Sequence, residues 1–176
     1  MRVVISSGHG KYVSGASGII DEVEEARKVV QATANALADK NIDVVIFNDD
    51  TSTTQSENLE TIVDFHNSEN RDLDVSIHFN AYVHTEGPRG TECLYLTQEE
   101  LAERVSLLVS VEGGLTNRGA HERTDLYFLN HTDKPAILVE VCFVDSVTDV
   151  ELYQENFDAI CLGIAQAIWD HLSPVA

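Results

Sequence analysis

Positive charge is scarce in this chain: 11 Lys and Arg stand against 30 Asp and Glu, a formal net charge of −19. No basic stripe exists that could neutralise phosphates, which excludes nucleic acid as a partner. Cysteine is scarce too. Cys93, Cys142 and Cys161 are too few and too scattered for a disulfide framework or a thiolate zinc cluster, so each reads as a small buried apolar residue. Long apolar runs are missing, and membrane insertion is not expected. The N-terminus has no basic segment followed by an apolar signal core, so the chain is expected to be made in the cytoplasm without a signal peptide. Internal repeats and low-complexity segments are also missing. What remains, 43% apolar and 23% charged residues over 176 positions, is ordinary for one globular domain spanning residues 1–176.

The informative stretch is the first ten residues. Val3-Val4-Ile5 is a β-branched run that breaks at Ser6-Ser7-Gly8-His9-Gly10. A buried strand ending in a glycine-flanked histidine presents its imidazole at the carboxyl edge of a sheet, where ligands bind in open α/β folds. Leu73-Asp74-Val75-Ser76-Ile77 ends the same way, in His78. Two strand-terminal histidines point to a metal.

Helices alternate with these strands. The first is expected from Asp21, paired with Glu24 as a capping box, with Val23, Ala26, Val30, Ala34 and Leu37 recurring at helical spacing until Asn41. The loop from Lys11 to Ile20 is long enough to wrap a site. Asp43–Phe47 reads as a strand, and a helix capped by Thr54 and Glu57 carries Leu59, Ile62, Val63 and His66. Tyr82 to Gly90 reads as an exposed connection, and Thr91–Leu96 as a strand. Thr97-Gln98-Glu99-Glu100 is a capping-box sequence opening a helix that Gly113-Gly114 ends. Asn117-Arg118-Gly119 reads as a turn and Leu126–Leu129 as a short strand. Ala136–Val144 is the most apolar strand, and Phe157–Leu172 the last helix, with Ser173-Pro174 ending the fold or beginning a linker. This alternation predicts an α/β domain: a twisted, mostly parallel sheet with helices on both faces. A hairpin within Thr91–Leu129 would make that sheet mixed.

Glu140 is the strongest anomaly. A carboxylate inside an apolar strand must be desolvated. It is either half of a buried salt bridge with Arg118 or Arg123, or a general base tuned by burial and a nearby cation. Glu22 lies in the first turn of its helix, on a face shared with Ala26, Val29, Val30 and Thr33, at the inward rim; Glu25 is its main rival. His9, Glu22 and His78 make a two-histidine, one-carboxylate set with an open position, the pattern of a hydrolytic zinc site, although iron(II) uses the same donors. A metal there would acidify water and polarise a carbonyl, with Glu140 carrying the proton. His66 and His171 on helices, and His84 and His131 in polar surface loops, are weaker candidates. His121 sits where it would approach a substrate.

Together these stretches resemble the zinc-dependent N-acetylmuramoyl-L-alanine amidases, the catalytic domains of bacterial autolysins and phage endolysins. Four ordered motifs carry the resemblance: Val4-Ile5-Ser6-Ser7-Gly8-His9-Gly10, Gly18-Ile19-Ile20-Asp21-Glu22, Ser76-Ile77-His78-Phe79-Asn80-Ala81, and Ile137-Leu138-Val139-Glu140-Val141-Cys142-Phe143-Val144-Asp145. Asn117-Arg118-Gly119 and Pro135-Ala136 also follow the family pattern. Val23 departs from it, since a basic residue usually follows the helix glutamate.

The resemblance implies a twisted six-stranded sheet, His9, Glu22 and His78 as ligands to Zn2+, and Glu140 as the catalytic residue. Asn80, Arg118 and His121 are then the candidate substrate-binding residues. The implied substrate is peptidoglycan, cut between the lactyl group of N-acetylmuramic acid and L-alanine. Thr51-Ser52-Thr53-Thr54-Gln55-Ser56 and the Glu140–Asp145 motif look most like the endolysin branch. A monomeric catalytic domain, released to the wall by a separate membrane lesion, is the expectation. A wall-binding domain would follow Pro174 in a typical member. The rivals are a zinc carboxypeptidase acting on stem peptides and a catalytically inactive wall-binding module.

Overall fold

The N-terminal β-branched run forms β1 (Arg2–Ser7) in the computed structural model, which describes residues 1–173; Pro174 lies outside the described residues. There follow α1 (Glu22–Asp39), β2 (Asp43–Phe47), α2 (Gln55–Ser68), β3 (Leu73–Asn80), β4 (Thr91–Tyr95) and α3 (Glu99–Gly113). The chain continues through β5 (Asn117–Glu122), α4 (Tyr127–His131), β6 (Ala136–Phe143), α5 (Val147–Glu155) and α6 (Phe157–Leu172).

The strands make one sheet in the order β2-β1-β3-β6-β4-β5. β2, β1, β3 and β6 are mutually parallel, and β4 runs antiparallel to β6 while β5 is parallel to β4. The sheet is therefore mostly parallel and mixed, as expected, but not through a hairpin. Its one antiparallel pairing joins β4 to β6, which are distant in sequence, and α3 is the crossover between β4 and β5. Asn117-Arg118-Gly119 is accordingly the start of an edge strand rather than a turn. The carboxyl ends of β1, β3 and β6 thus share one edge with the amino ends of β4 and β5.

The period-two alternation sorts the strands onto two cores. Val3, Ile5, Leu73, Val75, Ile77, Ile137 and Val139 pack with Val29, Val30, Val105, Ile164 and Ile168 from α1, α3 and α6. On the other face Leu94, Ala136 and Leu138 pack against Ile62 and Val63 of α2 and Phe128 and Leu129 of α4. The expected strand at Leu126–Leu129 is therefore helical: consecutive Phe128 and Leu129 both reach one core, which a strand would send to opposite faces. His131 ends this helix, exposed, instead of lying in a loop.

Capping differs between helices. Asp21 accepts the amides of Val23 and Glu24, and Thr54 with Glu57 completes a reciprocal box. The box expected at Thr97 is not formed, because α3 starts one residue later, with Gln98 as its N-cap. Thr97 instead accepts the Gln98 side chain at 3.2 Å. The three cysteines are free and buried, and burial pushes their thiols up, so they behave as packing residues.

Under α2 the thinner core holds a polar cluster. His66, wholly buried, sets Nδ1 2.8 Å from Asp74 Oδ1 and Nε2 2.9 Å from Ser6 Oγ. Asp74 also accepts Arg71 Nε at 2.8 Å and Nη2 at 2.7 Å. The order Ser-His-Asp suggests a nucleophile, but Ser6, His66 and Asp74 are each 0% exposed, so no substrate reaches them. Desolvation lowers the His66 pKa despite Asp74, keeping the ring neutral. The cluster ties α2 to β1 and β3. Asp74→Ala strands a buried guanidinium and should cost about 3–5 kcal/mol in urea unfolding. A loss below about 1 kcal/mol would contradict this assignment.

Candidate active site

Past Ser7, the chain stays paired to β3: Gly8 N–H donates to Ile77 O at 2.9 Å. A side chain at Gly8 is impossible there, since a Cβ would stand 1.8 Å from His78 Nε2. This close approach brings the His9 and His78 rings to 5.2 Å between centroids, at 79°. Glu22, 2% exposed, enters between them from the first turn of α1. Its Oε1 accepts Phe79 N–H at 2.9 Å and lies 3.0 Å from His78 Nδ1. Its Oε2 accepts Ala16 N–H and lies 3.7 Å from His9 Nε2. The loop from Lys11 to Ile20 does wrap the site, and Gly15 is its close-contact point, where a Cβ would meet Glu22 Oε2 at 2.3 Å.

One donor atom from each of His9, Glu22 and His78 lies within 4.8 Å of the other two. Their ionisation suits a cation. Burial works against the Glu22 charge, but its bonds to His78 and to Phe79 N–H outweigh it and hold the carboxyl below the ordinary range. Burial lowers His9, leaving a neutral imidazole whose Nδ1 is buried without a partner. At His78, burial opposes the charge, yet Glu22 prevails and raises the pKa. A proton held between His78 and Glu22 would occupy the position of a divalent ion and compete with it. The donors fit zinc, and equally iron(II).

Glu140 is the register partner of His78 on one side and of Glu92 on the other. Its Oε2 is buried with no hydrogen-bond partner among the described residues. Desolvation pushes its pKa up to about 7, with Glu22 and Glu92 adding to the rise against the pull of His78 and Arg123. A salt bridge to Arg118 or Arg123 is overturned: Arg118 Nε bonds Glu92 at 2.6 Å, and Arg123 bonds Asp125 at 2.8 Å. Glu25, the rival to Glu22, faces away from the site and holds Tyr153 Oη at 2.9 Å and Lys28 Nζ at 2.7 Å.

Asn80, Arg118 and His121 converge on a residue the sequence reading passed over. Glu92 accepts Asn80 Nδ2 at 3.0 Å and Arg118 Nε at 2.6 Å, and lies 3.7 Å from His121 Nε2. The available signal was a carboxylate inside the apolar strand Thr91–Tyr95, the same anomaly that marked Glu140. His84 and His171 are exposed and away from the cluster.

These features define a class of protein: an α/β domain whose carboxyl edge carries two histidines, a clamped carboxylate and an unpaired glutamate beside them. The sequence profile of the N-acetylmuramoyl-L-alanine amidases matches residues 3–170, and the chain belongs to that family. A 38.4 kDa protein of Clostridium perfringens, described as uncharacterized, is 36% identical over 174 residues, covering 96% of this chain and 51% of that protein. The chain spans about half the length of the curated relatives it matches. Among solved structures it is similar to the catalytic domain of the CD27L endolysin, which targets Clostridia difficile (TM-score 0.85, 24% identity, 97% of each chain). It is also similar to the N-acetylmuramoyl-L-alanine amidase AmiC2 of Nostoc punctiforme (TM-score 0.78, 25% identity, 98% of this chain and 97% of that one).

Proposed function

We propose that the chain is a zinc-dependent N-acetylmuramoyl-L-alanine amidase that cuts peptidoglycan, the catalytic domain of an endolysin-like lytic enzyme. One observation carries this reading: the orphaned Glu140 Oε2 beside the His9, Glu22 and His78 cluster. A buried carboxylate with neither counter-ion nor donor is costly unless it serves the chemistry. Zinc held by His9, Glu22 and His78 would supply Lewis acidity toward water and toward the scissile carbonyl. Glu140 accepts the proton of the attacking water and returns it to the departing nitrogen. A pKa of about 7 suits both transfers, since the group takes and gives a proton near neutrality. Water is consumed, the C–N bond breaks, and a lactyl carboxylate and the free amine of L-alanine result. Phe79 and Ala16 hold Glu22 still through their backbone N–H groups, so the donor set is fixed before substrate arrives. All four residues come from one chain, which fits a monomer.

Mass spectrometry of digested peptidoglycan tests this reading. The expected product carries a new L-alanine amine and no new reducing sugar. Release of a C-terminal amino acid would identify a carboxypeptidase instead, wall binding without any cleavage would identify an inactive wall-binding module, and unchanged lysis by a Glu140→Ala protein would remove Glu140 from the chemistry. Among the described residues no helix is long and apolar enough to cross a membrane.

The charge of −19 bears on the rate as well. Anionic wall polymers should repel this surface, and screening should relieve that repulsion. Lysis of purified walls should rise as salt increases from about 10 to 150 mM, where the Debye length falls from roughly 30 to 8 Å. A steady fall from the lowest salt would rule the effect out.

A further inference from the structure

Where β3 and β6 end, a cleft of about 370 Å³ opens, lined by Asn80, Ala81, Tyr82, Arg89, Arg118 and Phe143. The Arg89 guanidinium lies 5.0 Å from the Tyr82 ring centre and 5.6 Å from that of Phe143, and the Arg118 guanidinium lies 5.0 Å from Phe143. Two like charges about one ring repel, and an anion between them would relieve the repulsion. Arg118 already has Glu92 at 2.6 Å. Among the described residues Arg89 has no acidic partner, whereas every other arginine forms an ion pair. Its guanidinium donates to Val83 O at 2.7 Å, and its Nε is buried without a partner. In a chain with 30 Asp and Glu, an unpaired arginine in a cleft marks a place kept for a ligand.

The loop carrying it is held firmly. Asp149, 0% exposed, accepts Arg89 N–H at 3.0 Å and Gly90 N–H at 2.8 Å. Ser146 Oγ donates to Gly87 O at 2.9 Å, and Thr85 bridges to Ser146. The connection Tyr82–Gly90 is exposed at Tyr82, Val83, His84, Glu86 and Pro88, as expected, and its backbone is also docked onto Ser146 and Asp149 just past β6. Phe143 lies three residues beyond Glu140 on β6, about 10 Å along the strand.

We propose that this cleft binds the free carboxylate of the second stem residue, γ-linked D-glutamate, and so favours stems in which that group is not amidated. The inference rests on the amidase reading above. From the scissile amide, one alanine covers about 3.5 Å of the way toward the cleft, and the glutamate Cα–carboxylate arm together with the long Arg89 side chain would span the remainder. Arginine suits the task because its planar fork takes a carboxylate through two parallel hydrogen bonds, which a carboxamide cannot reproduce.

The experiment uses zinc-loaded enzyme and two soluble glycan strands with the same stem, the D-glutamate carboxyl free in one and amidated in the other. Wild type should prefer the free carboxylate about 10- to 100-fold in kcat/KM, mostly through KM. In Arg89→Gln the ratio should collapse toward one, and Arg89→Lys should restore part of it. Thermal melts of each variant separate a folding defect from a lost contact, and the wild-type ratio needs no variant. Equal rates on both strands with active wild type would overturn the carboxylate subsite while leaving the amidase reading intact. An unchanged ratio in a folded Arg89→Gln would overturn the assignment to Arg89. No new L-alanine amine from either strand would sink the amidase reading, and the subsite with it.

Discussion

Glu140→Gln should abolish peptidoglycan cleavage and at the same time make the metal-free protein more stable. On the catalytic side, removing the proposed proton carrier should lower kcat by about 10²–10⁴. The stability side follows from burial. A carboxyl raised from the ordinary 4.5 to about 7 prefers its neutral form in the fold, so the charge costs roughly 3 kcal/mol of folded-state stability once fully developed. That cost is absent below about pH 4.5, grows as the pH rises toward 7, and is complete above it. Glutamine keeps the shape without the charge. The variant and wild type should therefore unfold alike near pH 4 and diverge through neutrality, the variant winning by about 2–3 kcal/mol at pH 8. Denaturant midpoints across that range decide it. Parallel curves, or a destabilised variant at pH 8, would mean that the Glu140 charge is compensated in the fold.

Glu22→Gln should have the second largest effect. Zinc present at 100 times its Kd should stabilise wild type by about 2.7 kcal/mol in thermal unfolding. The variant should show almost none of this, with affinity reduced at least about 100-fold, because it loses a charged donor and presents an amide where Phe79 and Ala16 both offer N–H groups. Wild-type affinity should also weaken on acidification, since the proton favoured at His78 by Glu22 competes with the ion. Isothermal titration at two pH values checks both points. A wild-type zinc affinity independent of pH between about 5 and 8 would contradict a site that must shed a proton.

The four polar residues proposed for the chemistry were legible because each broke a local rule. His9 and His78 ended apolar strands, Glu140 interrupted one, and Glu22 sat on the inward face of its helix. Glu92 broke the same rule in a shorter strand, and its meaning depended on β6, which supplies the neighbouring Glu140 only through antiparallel pairing. The Thr97 box and the Leu126–Leu129 strand failed for a common reason. Local propensity was decided by one residue of register or by which core the side chains could reach. Helix α5 and the docked Tyr82–Gly90 loop left no clear periodic signal, because buried Asp149 and Ser146 hold them through hydrogen bonds to distant backbone.

By itself, then, the order of residues determined the alternating α/β layout and the positions of β1, β2, β3 and β6, and it singled out His9, Glu22 and His78, which the fold brings together. Only the tertiary structure decided that β4 runs against β6, that Glu140 has no arginine partner, and that Arg89 stands unpaired beside Arg118. Periodicity and capping act within a few residues and are written locally. Charge pairing acts through space, and which carboxylate meets which cation is fixed only when the sheet has closed.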